Sequence, residues 1–324
     1  MATTANLPRV QKTHNSGLLS WIVGGDTRLA THKALMGYLF ISPWIIGMLV
    51  FIAGPILYSL YLSFTDYDIL SPPRFSGISN YVRALTGDRL FWPSLGRTAY
   101  YALASVPILL AGSLGLAMLL NQHLKGTNTF RTFFFLPHLT PDVAMAILWV
   151  WLLHPKLGPI NTMILNKVGI TEFPWLTDPK TVIPSLIMMA VWLGVGGNRM
   201  LIFLASLQGV PTSLYEAAEL DGAGAWNKFF HVTLPMISPA ILFNLIMGII
   251  AALQVFSVAF VATEGGPSYG SWFFALHIYN QAFAYFRLGY GSALAWLLLL
   301  IVLALTLLNF TLSKRWVFYH GESE

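Results

Sequence analysis

Six stretches of this chain are apolar for long enough to cross a bilayer, and its charged residues fall almost entirely between them. A spanning helix needs about 20 mostly apolar residues, because lipid offers unpaired backbone N–H and C=O groups no partner. The pattern predicts spans over 34–63, 97–121, 131–153, 181–207, 238–262 and 289–313. Around them it leaves a tail over 1–33 and a second tail over 314–324, with five of the spans falling within 97–313. The first span holds Pro43 and Pro55; either can kink it, and the second can mark its exit from lipid. The fifth opens on Ser238 and Pro239, which read as an N-cap followed by proline in the first turn. The expectation is an all-α integral membrane protein.

Composition agrees: of 324 residues 56% are hydrophobic and 10% charged, against about 25% charged in soluble domains. Many of the 22 Phe, 13 Tyr and 11 Trp sit at the ends of apolar runs, where amphipathic rings suit the headgroup layer. The net charge of +5 is scattered and forms no basic stripe, which argues against nucleic acid. With no cysteine, thiol chemistry and thiolate metal sites are excluded. Arg9, Lys12 and the run Gly17 to Gly24 imitate a signal peptide but lack a cleavage pattern, so the segment reads as a tail whose apolar patch lies on the membrane surface.

An even span count puts both termini on one side, and basic residues ordinarily say which. Here nine fall on the side of the termini (Arg9, Lys12, Arg28, Lys33, Lys125, Arg131, Lys228, Lys314, Arg315) and eight on the other (Arg74, Arg83, Arg89, Arg97, Lys156, Lys167, Lys180, Arg287), with Arg199 inside the fourth span. That split does not orient the chain.

The loop over 208–237, QGVPTSLYEAAELDGAGAWNKFFHVTLPMI, contrasts with everything around it. Ser213 and Glu216 are spaced as a capping box, predicting a short helix over Leu214 to Asp221. Ala217 and Ala218 keep one face small, and Gly222 supplies a left-handed stop. Trp226, Phe229 and Phe230 follow on a second turn that Pro235 is expected to break.

By local physics this is a surface connector, but its spacing is more specific. Glu216-Ala217-Ala218, three residues, Gly222, nine residues, Val232, one residue and Leu234-Pro235 resemble the EAA loop of binding-protein-dependent ABC importer permeases. The usual Ile is Val232 here. Further stretches fit the sugar-permease branch: Pro55 to Tyr67 (PILYSLYLSFTDY), Phe75 to Tyr81 (FSGISNY), Phe91 to Thr98 (FWPSLGRT), Gly158 to Asn161 (GPIN), Thr263 to Pro267 (TEGGP) and Gly289 to Ala293 (GYGSA). The resemblance implies a type I importer fold in a bacterial cytoplasmic (inner) membrane, with the loop and both termini cytosolic. The first span would wrap a second permease, and the loop's coupling helix would dock in a cleft of an ATPase subunit.

Glu216, Ala217, Ala218, Asp221, Gly222, Leu234 and Pro235 are then the candidate docking residues. The chain has no G-x-x-x-x-G-K-[ST], so ATP and Mg2+ belong to partner ATPases and this chain holds no cofactor of its own. The implied partners are a different permease in a heterodimer, two ATPases and an extracytoplasmic solute-binding protein that delivers a neutral or acidic oligosaccharide.

Asp142 and Arg199 each cost about 2.5–3.5 kcal/mol at a spanning helix centre and need a partner or water. Either they pair with each other or with Asn198, or Arg199 faces a translocation pathway. Asn244 and Gln254 lie ten residues apart, about 80° around a helix axis, and can share one broad face. They either bond between helices or line a sugar path with Trp149, Trp151 or Trp192. The G-x-S-x-G of Gly266, Ser268 and Gly270 follows a span rather than a strand and reads as a turn. The eight histidines show no metal spacing, and the N-x-T at Asn309 lies inside the sixth span. A membrane enzyme acting on lipid or glycan would need more carboxylates or metal ligands, and a passive channel leaves the loop's spacing unexplained.

Overall fold

The computed structural model describes residues 28–122 and 125–318. The apolar patch at Gly17 to Gly24 lies outside them. The chain divides between Tyr61 and Leu62 into two compact units.

The described residues of the first unit form one helix, whose last two residues, Leu62 and Ser63, belong to the second: α1 (Arg28–Met48) continues through a π turn (Leu49–Ala53) into α2 (Gly54–Ser63). Neither proline breaks it. Pro55 lacks an N–H and its ring crowds the carbonyl four residues back, and the π turn just before it widens the backbone there. Phe40, Trp44 and Phe51 are 81%, 66% and 79% exposed, as side chains bathed by lipid or covered by another chain would be.

In the second unit the strands among the described residues are confined to a two-residue antiparallel ribbon, β1 (Thr65–Asp66) with β2 (Arg74–Phe75), within an otherwise helical fold. The principal helices follow: α3 (Phe91–Leu120), α4 (Thr127–Phe135), α5 (Asp142–Leu152), α6 (Val182–Gly194), α7 (Asn198–Gln208), α8 (Thr212–Leu220), α9 (Ser238–Leu253), α10 (Ser257–Thr263), α11 (Phe274–Tyr279) and α12 (Leu288–Ser313). Among the described residues four helices are long and apolar enough to cross a bilayer: His32–Ser63, Phe91–Leu120, Ser238–Thr263 and Leu288–Ser313.

The third and fourth expected spans are bent pairs. Thr127–Leu139 meets Asp142–Leu152 at 93°, and Val182–Gly194 meets Asn198–Gln208 at 48°; with each pair counted as one span the total is six. Pro137 and Pro141 bracket the first break, where a 3-10 turn (Leu136–Leu139) replaces α-helix. Gly194, Gly196 and Gly197 make the second, since glycine tolerates the close approaches that a break brings. Ser238 is also not the N-cap expected of it: it is the first residue of α9, and its hydroxyl accepts the Phe318 N–H at 2.9 Å.

α3 is the central post. Its buried face runs Ser94, Thr98, Tyr101, Ala102, Ser105, Leu109, Ser113 and Ala117, and the small members let α6, α7, α9 and α11 pack closely. Thr98 Oγ1 accepts the Phe274 N–H at 2.9 Å, and Phe91 meets Phe274 edge-on at 5.3 Å. Two apolar clusters result. One holds Phe91, Val106, Met189, Phe273 and Leu294; the other holds Ala117, Leu120, Met200, Phe203, Leu207 and Ile237.

A polar latch closes the end of the post near Phe91. Asp88 Oδ2 accepts from Tyr290 Oη at 2.6 Å and from His277 Nε2 at 2.8 Å. Trp272 Nε1 donates to His277 Nδ1 at 3.1 Å, so that nitrogen is the ring's acceptor and Nε2 carries hydrogen. Burial pushes the Asp88 carboxyl up, but the bonds from Tyr290, the Leu90 N–H and His277 outweigh it and hold the group below 3.8. A carboxylate depressed in this way stabilises the fold above its unfolded pKa and loses that contribution as pH falls through the folded value. Asp88→Ala is expected to cost about 1.5–3 kcal/mol in detergent-solubilised protein. The melting-temperature gap between wild type and variant should narrow below pH 3.8, and a gap that is constant down to pH 3 contradicts the latch.

Candidate functional site

Two places in the fold carry the residues singled out by sequence. The first is the loop around α8. The helix begins at Thr212 with Pro211 before it and no side-chain cap, so the Ser213–Glu216 capping box does not form. Pro211 already ends the preceding segment and places Ser213 inside the first turn. The stop is as expected: Gly222 has φ +79°, with the Ala223 N–H on the Ala218 carbonyl at 2.9 Å and the Gly222 N–H on Glu219 at 3.0 Å. After an extended Gly224 the backbone is helical from Ala225 through Pro235 to Met236, so Pro235 does not break the second turn, and a π turn (Phe229–Thr233) again precedes the proline.

Glu216, Ala217, Asp221 and Gly222 are exposed and Ala218 is half-buried. Leu220 at 91%, Trp226 at 75% and Phe230 at 53% exposure add an apolar ridge, with Trp226 stacked on Phe230. Lys228 Nζ bonds Glu219 at 2.6 Å, tying the two halves of the loop. Leu234 and Pro235 stand apart from this surface and line an apolar groove of about 410 Å³ with Leu110, Phe203 and Trp316. The loop is seated rather than loose: Tyr215 Oη lies 3.0 Å from Thr233 Oγ1, and Tyr215 and Val232 pack on the cluster that contains Met200, Phe203 and Leu207 of α7.

The second place is where the two breaks meet. A Cβ on Gly196 would strike the Phe134 carbonyl, and one on Gly197 would stand 2.8 Å from His138 Nδ1. α7 therefore starts against the bend of the neighbouring pair, with Asn198 and Arg199 in its first turn. Two adjoining cavities share His138, Gly194, Arg199 and Ala251. The smaller, about 190 Å³, adds Tyr101, Ser105 and Asp142; the larger, about 490 Å³, adds Asn198 and Asn244.

Asp142 and Arg199 thus face one cavity, yet no ion pair joins them among the described residues. Asp142 is the first residue of α5, beside the break, and is not at a helix centre. Asn198 bonds neither Asp142 nor Arg199 among the described residues. Gln254 caps α9 where the helix loosens and lines neither cavity, so it does not share Asn244's environment. Trp149, Trp151 and Trp192 line neither as well; Trp149 meets Trp192 edge-on at 6.2 Å. Sequence reasoning missed Ser105 and His138. The prolines flanking His138 and the glycines before Asn198 were the available signal. Among the described residues no group of His, Asp and Glu is placed to hold a metal.

Residues 101–317 match the family described as binding-protein-dependent transport system inner membrane component. A probable ABC transporter permease protein of Bacillus subtilis, YesP, is 42% identical over 90% of this chain and 94% of its own. The lactose transport system permease LacF of Rhizobium radiobacter is 37% identical over 86% and 94%. The sulfoquinovosyl glycerol transport system permease SmoG of Agrobacterium fabrum is 33% identical over 85% and 87%. Among solved structures, a chain of a bacterial ABC transporter that imports the acidic polysaccharide alginate superposes with a TM-score of 0.77 over 88% of this chain and 96% of that one, at 24% identity, and so shares the fold.

The Gly222 turn generates its own test. No atom lies within 4 Å of a Cβ added there, so substitution is opposed by backbone conformation and not by crowding. Gly222→Val should destabilise the turn by about 1–2 kcal/mol and speed hydrogen exchange over 218–223, whereas Gly222→Asn should do so less. Equal exchange in both variants and wild type contradicts this.

Proposed function

Since the chain belongs to the family of binding-protein-dependent transport system inner membrane components, we propose that it is one permease of a saccharide importer whose pathway runs past the paired helix breaks. The observation that carries this reading is the connection between the two sites. Tyr215 and Val232 of the loop and Met200, Phe203 and Leu207 of α7 share one cluster, and the other end of α7 bears Asn198 and Arg199 at the cavity. Displacing the loop would displace the cavity wall.

In this reading the loop and both termini face the cytosol, and Glu216, Ala217, Ala218, Asp221 and Gly222, with the ridge of Leu220 and Trp226, dock in an ATPase. ATP and Mg2+ reside on that partner, a second permease closes the pathway, and a solute-binding protein delivers cargo from outside. The relatives' cargoes, lactose and sulfoquinovosyl glycerol, support a saccharide. Arg199 sits nine residues from the loop end of α7, about 14 Å along a helix and near the middle of a 30 Å hydrocarbon core. Pathway sites commonly lie there, on discontinuous helices.

The test is uptake by the complex reconstituted with its ATPases and binding protein. Glu216→Lys or Gly222→Trp should leave the complex co-purifying but lower the saccharide moved per ATP hydrolysed by about tenfold or more, the size expected when a docking anchor is lost. Wild-type stoichiometry in both variants would remove the loop from coupling.

A further inference from the structure

Resting on the saccharide reading, we infer that the cargo bears a carboxylate, and that Arg199 and Asn244, in the larger cavity at the start of α7, receive it. Arg199 has neither an ion pair nor a hydrogen bond among the described residues, although it lies within a spanning pair. Its position is nonetheless built. A Cβ on Gly194 would stand 3.3 Å from Nη1, and one on Gly248 would stand 3.7 Å from Nη2. Glycines on α6 and α9 thus leave the room that the guanidinium occupies.

Asn244 provides an independent observation. It is 1% exposed, lines the same cavity, and its Nδ2 has no partner among the described residues. A buried donor left unpaired is costly, and one that faces a cavity has room there to be met by a bound group. Asn198 adds an amide, and α7, eleven residues long, points the positive end of its dipole at the same space.

The arrangement of charges decides between an anion and a neutral sugar. The polar residues lining the larger cavity are Arg199, His138, Asn198 and Asn244, none of them a carboxylate, and the rest of its wall is apolar or glycine. Among the described residues Asp142 is the one acid lining either cavity, and it lines only the smaller, with Tyr101 and the buried Ser105 hydroxyl, which has no partner among them. A saccharide that spans both would find hydroxyl partners on the Asp142 side and, on the other, a pocket with a guanidinium and no carboxylate to oppose an anion. A guanidinium presents its N–H groups as a planar fork that matches a carboxylate, so a uronate fits this pocket better than a hydroxymethyl group does.

The experiment compares pairs of uronate disaccharides and their carboxyl-reduced counterparts on the complete complex in liposomes. Stimulated ATP hydrolysis, as kcat/KM, is read for each pair, and the binding protein's own affinity ratio is measured separately. In wild type the acid-to-reduced ratio should exceed the binding protein's ratio by about tenfold or more, the size of one charge-assisted contact. Arg199→Gln should bring the two ratios together, and Arg199→Lys, which keeps charge but loses the fork, should fall between. Matching ratios in wild type overturn the inference and leave the importer reading standing, whether or not the variants assemble. If neither member of any pair stimulates hydrolysis, the saccharide reading itself falls.

Discussion

Inside a bilayer no backbone N–H or C=O can be left to lipid, and this constraint shapes the centre of the structure. Two of the six apolar stretches are bent pairs, one at Pro137 and Pro141 and the other at Gly194 to Gly197; the backbone at each break bonds locally, and the two breaks pack against each other. The glycines are what let them meet. Gly196 abuts the Phe134 carbonyl and Gly197 the His138 ring, and any side chain would part them. The result is a half-helix start, an arginine and two amides in a place where an unbroken helix would present only apolar side chains.

The rest of the second unit holds this centre from both ends. Near Phe91 the Asp88, His277 and Tyr290 latch ties the segment before α3 to the start of α12, and Gly289 allows the chain at Thr65 and Tyr67 to lie directly on that start. At the opposite end Tyr215 and Val232 of the loop are bedded in the cluster that also buries Phe203 and Leu207. The polar latch has hydrogen bonds of fixed direction, whereas the loop's seat is mostly packing, which can slide. Motion entering at the loop would therefore reach α7 before it disturbed the latch.

Much of this was legible in the sequence. Apolar run length located the four unbroken spans, and the Gly222 stop and the EAA spacing located the loop. What escaped has physical reasons. The broken spans have apolar compositions like the intact ones, so only Pro137, Pro141 and the Gly194 to Gly197 run could have marked them. Ser213 looked like a cap because Pro211, two residues earlier, was not read as the helix boundary. Asn244 and Gln254 were related by an ideal helix that in fact loosens at Gln254. The latch joins side chains 189 and 202 residues apart, and no local pattern announces such a contact.

In the proposed importer the cavity beside the paired breaks is the pathway exposed alternately to the two sides of the membrane. The chain contains no cysteine, so Asn198→Cys places a single thiol on that cavity wall. In reconstituted complex, its reactivity toward a membrane-impermeant thiol reagent added to one side or the other should switch sides between the nucleotide-free and ATP-locked states. A thiol that reacts from the same side in both states, or from neither side in either, would contradict this pathway.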